Sequence, residues 1–143
     1  MFNKYILGLM LMTMSNLTLA KTIEIKVTNV DVSKGGQIIV MLFGEDGFPK
    51  VHAKALQQQF SEELASEMTF KFEIALEVFA LKVLHDESGD GMVTKNWTGI
   101  YPKEGLAFSN KQTLGITGPP SFRNAMLKLS NINSTINLNI KYP

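Results

Sequence analysis

Thr22-Ile23-Glu24-Ile25-Lys26-Val27-Thr28 near one end of the chain, and Thr135-Ile136-Asn137-Leu138-Asn139-Ile140-Lys141-Tyr142 at the other, decide the fold. In both, apolar and polar residues alternate with period two. Successive strand side chains point to opposite faces, so this pattern predicts a β-strand with one face buried and one in water. Met68, Phe70, Phe72 and Ile74, alternating with Thr69, Lys71 and Glu73, repeat the pattern.

Working inward, Gln37 to Phe43 is a continuous apolar run after the turn cluster Ser33-Lys34-Gly35-Gly36, as expected of a central strand. Val78 to His85 is rich in β-branched and aromatic residues and reads as a partner of the Met68–Ile74 strand. Ala125 to Leu129 is a short sixth strand, and Leu106 to Ser109 a seventh. One segment has a different period. Ala53, Leu56, Phe60 and Leu64 recur at three- and four-residue steps, which predicts a short helical crossover. The expected fold is all-β: a single seven-stranded antiparallel sandwich, immunoglobulin-like or transthyretin-like, with that crossover and one long loop.

Met1-Phe2-Asn3-Lys4 precedes an apolar stretch from Tyr5 to Met14, and Thr18-Leu19-Ala20 follows. A positive start, a short apolar stretch and a small boundary residue predict a signal peptide over 1–20, with one domain over 21–143. The stretch is too short to cross a bilayer, which takes about 20 apolar residues. The expected location is periplasmic or extracellular, without stable membrane insertion once the leader is removed. The chain has no cysteine. That excludes disulfides, a thiol nucleophile, thiolate metal ligands and a lipidated leader. Beyond the leader, Lys and Arg balance Asp and Glu, so no charge field points to nucleic acid.

The long connection after His85 holds Trp97, Ile100, Tyr101, Leu106 and Phe108 and begins Asp86-Glu87-Ser88-Gly89-Asp90-Gly91-Met92-Val93-Thr94. Oxygen side chains at the first, third and fifth positions with Gly at the sixth match the front of an EF-hand loop. Asp86, Ser88, Asp90, the Met92 carbonyl and Thr94 are therefore candidate ligands of a weak calcium site. Trp97 stands where the bidentate Glu belongs, so further oxygens must come from Glu87, Glu104 or water. A polar turn bonding its own backbone amides is the other reading.

His85-Asp86-Glu87-Ser88-Gly89-Asp90-Gly91, Gly99-Ile100-Tyr101-Pro102-Lys103-Glu104-Gly105, Phe108-Ser109-Asn110 and Gly118-Pro119-Pro120-Ser121-Phe122 occur in this order. Together they resemble the bacterial family called domain of unknown function 2141, across most of the chain beyond the leader. The resemblance implies an exported β-sandwich and carries no activity. The chain departs from the family pattern at Ser88 and Thr94, where members tend to have Asn and Asp. It departs again at Ala75-Leu76-Glu77, where they tend to have a Pro- and Gly-bearing turn.

His85 beside Asp86 invites a hydrolytic reading, with the imidazole as general base. The sequence contains no nucleophile elbow, its one arginine, Arg123, is remote, and His52 reads as a surface residue. The leading expectation is a non-enzymatic domain that binds a protein or glycan partner, with His85, Trp97, Tyr101, Glu104 and Phe108 as the candidate loop site. The alternative is a carrier with a small-ligand pocket at the loop end. A His-dependent hydrolase comes third.

Overall fold

The computed structural model describes residues 19–95 and 102–143. The expected leader is almost wholly outside the described residues, as are Trp97 and Tyr101. Eight strands follow in order: β1 (Lys21–Thr28), β2 (Gln37–Phe43), β3 (Gln57–Ser61), β4 (Met68–Ile74), β5 (Val78–Asp86), β6 (Leu106–Phe108), β7 (Leu127–Lys128) and β8 (Thr135–Asn139). One helical turn, α1 (Phe122–Ala125), precedes β7. Among the described residues no helix is long and apolar enough to cross a membrane.

The strands form two sheets, β4-β1-β8 and β3-β2-β5-β6, with β7 paired to the start of β5. In the smaller sheet the period-two pattern becomes burial directly. Ile23, Ile25 and Val27 of β1 stand opposite Phe72, Phe70 and Met68 of β4. Ile136 and Leu138 of β8 lie beside Ile25 and Val27. These inward residues meet Ile38, Val40 and Leu42 of β2 and Phe79, Leu81 and Val83 of β5 in one core between the sheets. Each fully buried side chain of this size contributes roughly 1.5–3 kcal/mol.

The larger sheet is apolar on both faces. Ile39, Met41 and Phe43 of β2, Leu84 of β5, and Leu106 and Phe108 of β6 form a second cluster, covered by Phe48, Ala55 and Val93. That double burial is why Gln37–Phe43 reads as a continuous run rather than an alternation. It also places chain segments over the outer face of this sheet, where the candidate site lies.

The structure corrects five expectations. β5 is not the partner of β4: β4 pairs with β1 in the smaller sheet, and β5 pairs with β2 and β6 in the larger. Among the described residues the strands number eight, not seven. The pairing is not wholly antiparallel, because β1 and β8 run parallel. Parallel neighbours need a long connection between them, and nearly the whole chain supplies it. The helical crossover is absent: His52–Lys54 is a single 3-10 turn and Gln57–Ser61 is the edge strand β3. Phe60, expected on a buried helical face, is 69% exposed. Gln57 and Gln59 turn inward instead, and their Nε2 groups donate to the Glu73 and Lys71 carbonyls of β4 at 2.8 and 2.6 Å. The inner face of β3 is thus amide rather than apolar. Finally, the strand expected over Ala125–Leu129 contracts to two residues. Ser121 caps α1 by accepting from the Asn124 N–H, and the turn it starts takes Ala125 from one end of that strand, while the 3-10 turn Leu129–Asn131 takes Leu129 from the other.

Beyond β8 the chain crosses between the sheets. Leu106 and Lys141 exchange backbone hydrogen bonds of 3.0 and 2.9 Å, which brings Tyr142 beneath the end of β5. Gly105 is required at this crossing, since a Cβ there would lie 2.5 Å from both Ile140 and the Tyr142 ring.

Candidate functional site

β5 ends in His85 and Asp86, both fully buried, on opposite faces of the strand. The His85 Nε2 lies 2.7 Å from the Gly35 carbonyl and Nδ1 lies 2.7 Å from the Tyr142 hydroxyl. A carbonyl can only accept, so Nε2 carries the proton and Nδ1 accepts from the phenol. The same phenol oxygen accepts from the Asp31 N–H at 2.8 Å. Burial raises the Tyr142 pKa above its ordinary value, the Asp31 charge adding to it against the Asp31 amide bond. With both ring nitrogens engaged and the ring buried, His85 ties the Asp31–Gly36 turn to the C-terminal segment. Gly36 permits the close approach, because a Cβ there would collide with the Asp86 carbonyl.

On the other face, Asp86 organises the loop that follows it. Its Oδ1 accepts from the Gly89 N–H (3.0 Å) and the Ser88 hydroxyl (3.2 Å). Its Oδ2 accepts from the Gly91 N–H (2.7 Å) and the Gln37 amide (2.8 Å). Burial pushes the Asp86 carboxyl up, but the bonds from Gln37, Gly91, Ser88 and Gly89 outweigh it and hold the pKa below its ordinary value. Glu104, buried at 2% exposure, does the same from the far end of the connection. Its Oε1 accepts from the Glu87 and Ser88 N–H groups and the Thr94 hydroxyl, and its Oε2 from the Thr94 N–H, all at 3.1–3.3 Å. A carboxylate offers about four lone-pair positions, and each of these two receives four donors.

Of the five candidate calcium ligands, Asp86, Ser88 and Thr94 are thus gathered with Glu104 into one hydrogen-bonded knot. Asp90 stands apart, exposed, its Oδ1 accepting from the Met92 N–H at 2.8 Å. The Met92 side chain is 65% exposed. Of the aromatic candidates, Phe108 is buried on β6, edge-on to Phe48 with ring centroids 6.4 Å apart. Trp97 and Tyr101 are outside the described residues.

Beside this knot lies a site whose central residue, Lys82, sequence reasoning did not single out. A cavity of about 1300 Å³ opens over the outer face of the larger sheet. Lys82, Leu106 and Phe108 of the sheet line its base. Its walls come from the segments 49–53, 91–95, 113–119 and 141–143. Lys82 is only 4% exposed. Its Nζ donates to the Pro49 carbonyl at 2.9 Å and to His52 Nε2 at 2.8 Å. His52 is half-buried rather than a surface residue, and its Nδ1 bonds the Gly91 carbonyl at 3.0 Å. That carbonyl sets the tautomer, leaving Nε2 to accept from the ammonium. Burial lowers the Lys82 pKa from 10.5 to about 8. Burial, and then the Lys82 charge, also lower the His52 pKa, against the Gly91 bond and the Asp86 charge.

Among the described residues no carboxylate forms an ion pair with Lys82. Glu104 lines the same cavity, but its oxygens are taken by the loop. Around the mouth, Val51, Met92, Leu114 and Ile116 expose apolar side chains, Ile116 almost completely. One signal was available beforehand. Lys82 is the single charge between Val78 and Leu84, in a strand too apolar to face water on either side.

Residues 25–137 match the model of a family described as an uncharacterized protein conserved in bacteria, DUF2141. No curated protein and no solved structure matches the chain.

Proposed function

The chain belongs to the DUF2141 family, whose description names no activity, and from the cavity we propose that it is an exported, non-enzymatic carrier of a small apolar ligand. The observation that carries this reading is the cavity itself, with a base of packed strands and walls of loop. Ligand sites are concave, mostly apolar and furnished with few polar groups, and this one has a single buried ammonium at its base. The Asp86 and Glu104 bonds hold the wall over 88–95 in shape without a ligand, so little ordering cost attaches to binding. The same bonds favour a loop maintained by its own amides over one maintained by calcium. Export rests on the leader-like segment over 1–20.

The strand order favours the transthyretin-like form of sandwich. In an immunoglobulin sandwich the first strand lies beside the second. Here β1 lies between β4 and β8, while β2 lies between β3 and β5.

Titration of the purified domain with Nile red, a neutral apolar dye, tests the carrier reading. Saturable one-to-one binding is expected, and Val93→Phe, which adds bulk to the wall, should weaken it. Absence of saturable binding, or binding indifferent to the filled wall, would refute the proposal. A protein- or glycan-interaction surface formed by the exposed rim at Met92, Leu114 and Ile116 would then be the better reading.

A further inference from the structure

We infer that the ligand is an apolar monocarboxylate and that Lys82 is its counter-ion, an inference that rests on the carrier reading. An ammonium has three protons to donate. Two go to neutral acceptors, the Pro49 carbonyl and His52 Nε2. Among the described residues the third has no partner, and the side chain lines the cavity. A cation withdrawn from water without a counter-ion is unfavourable. An incoming carboxylate supplies the missing acceptor and the missing charge together.

The surroundings point to the same class. Lys50, Lys95 and Lys141 also line the cavity. Against these four lysines stand two carboxylates among the described lining residues, the one at Pro143 and that of Glu104, whose oxygens are turned onto Glu87, Ser88 and Thr94. The field in the cavity is therefore positive, which draws an anion in. One unpartnered N–H suits a singly charged group better than a phosphate dianion, which asks for several donors. Leu106, Phe108 and Val93 offer the apolar tail a surface, and Met92 and Ile116 continue it at the mouth.

Lys82 makes the arrangement sensitive to pH, with His52 as its neutral acceptor. His52 faces Lys82 with its lone pair, held so by the Gly91 carbonyl. Its lowered pKa keeps it neutral above pH 7. Tyr142, also lining the cavity, stays a phenol up to pH 10. Across pH 7–9.5 Lys82 is thus the group whose lowered pKa is crossed. A bound carboxylate favours its charged form, so binding above pH 8 takes up a proton and weakens as protons become scarce.

Displacement of Nile red from the full chain by monomeric decanoate and by methyl decanoate tests this. At pH 7 decanoate should displace the dye at concentrations at least tenfold lower than the ester. Its affinity should fall by roughly tenfold per pH unit above about pH 8.5, with the ester unaffected. Lys82→Met should erase the preference and leave ester binding in place. Equal displacement by acid and ester in the wild type overturns the counter-ion while the carrier stands. Failure of the dye itself to bind removes the carrier. The wild-type comparison and its pH profile need no variant, so they decide the matter even if Lys82→Met does not fold.

Discussion

The depressed Lys82 pKa fixes how stability must vary with pH. Its pKa is about 8 in the folded chain against an ordinary 10.5. Between those values the unfolded chain holds more protons than the folded one, so stability rises with pH. Below pH 8 the penalty of holding the charge inside is fully present; it fades as the solution approaches pH 10.5. At 1.36 kcal/mol per pKa unit, and with both states partly titrated at the limits, the gain from pH 8 to pH 10 is about 2 kcal/mol. Exposure of only 4% calls for little discount from solvent screening. Tyr142 sets the upper limit. Its raised pKa keeps the phenol protonated in the folded chain after the unfolded chain has released it, which lowers stability above pH 10. Urea unfolding of the wild type and of Lys82→Met at both pH values isolates the effect, because the surface groups cancel in the comparison. The wild type should gain about 2 kcal/mol more than the variant, or on the order of 8 °C in Tm. A difference below about 0.5 kcal/mol would mean that the ammonium is solvated, and the burial argument would fail.

Glu104→Gln places an amide donor against N–H groups that now meet a carboxylate. It should lower stability by roughly 1–3 kcal/mol and speed hydrogen exchange at the Glu87, Ser88 and Thr94 amides; unchanged exchange would contradict the hydrogen-bonded knot. Because the acceptor positions of Asp86 and Glu104 are filled by the loop and by Gln37, melting in millimolar calcium and in chelator should give the same midpoint. A calcium-dependent rise of several degrees would show that the carboxylates re-orient onto an ion. Tyr142→Phe removes partners from His85 Nδ1 and the Asp31 N–H. It should lower stability by about 1–3 kcal/mol, measured by urea unfolding at pH 7, and a loss within error would mean that water replaces the hydroxyl.

Local pattern alone specified the strands that bury one face. Ile23 and Ile25, Phe70 and Phe72, and Ile136 and Leu138 are legible because every second residue must leave water. The run from Ile38 to Phe43 announced a strand but not what covers its second face. β3 was illegible because its inward residues are glutamines, whose partners are carbonyls on β4 in the other sheet. The loop motif at Asp86 was visible, yet its meaning waited on Glu104, which reaches it only when β6 pairs with β5. Lys82 could be seen as a charge in an apolar strand, but four separate stretches of chain enclose the cavity over it. Periodicity reports how one segment meets a face. A cavity depends on which distant segments share that face, and only the folded chain decides that.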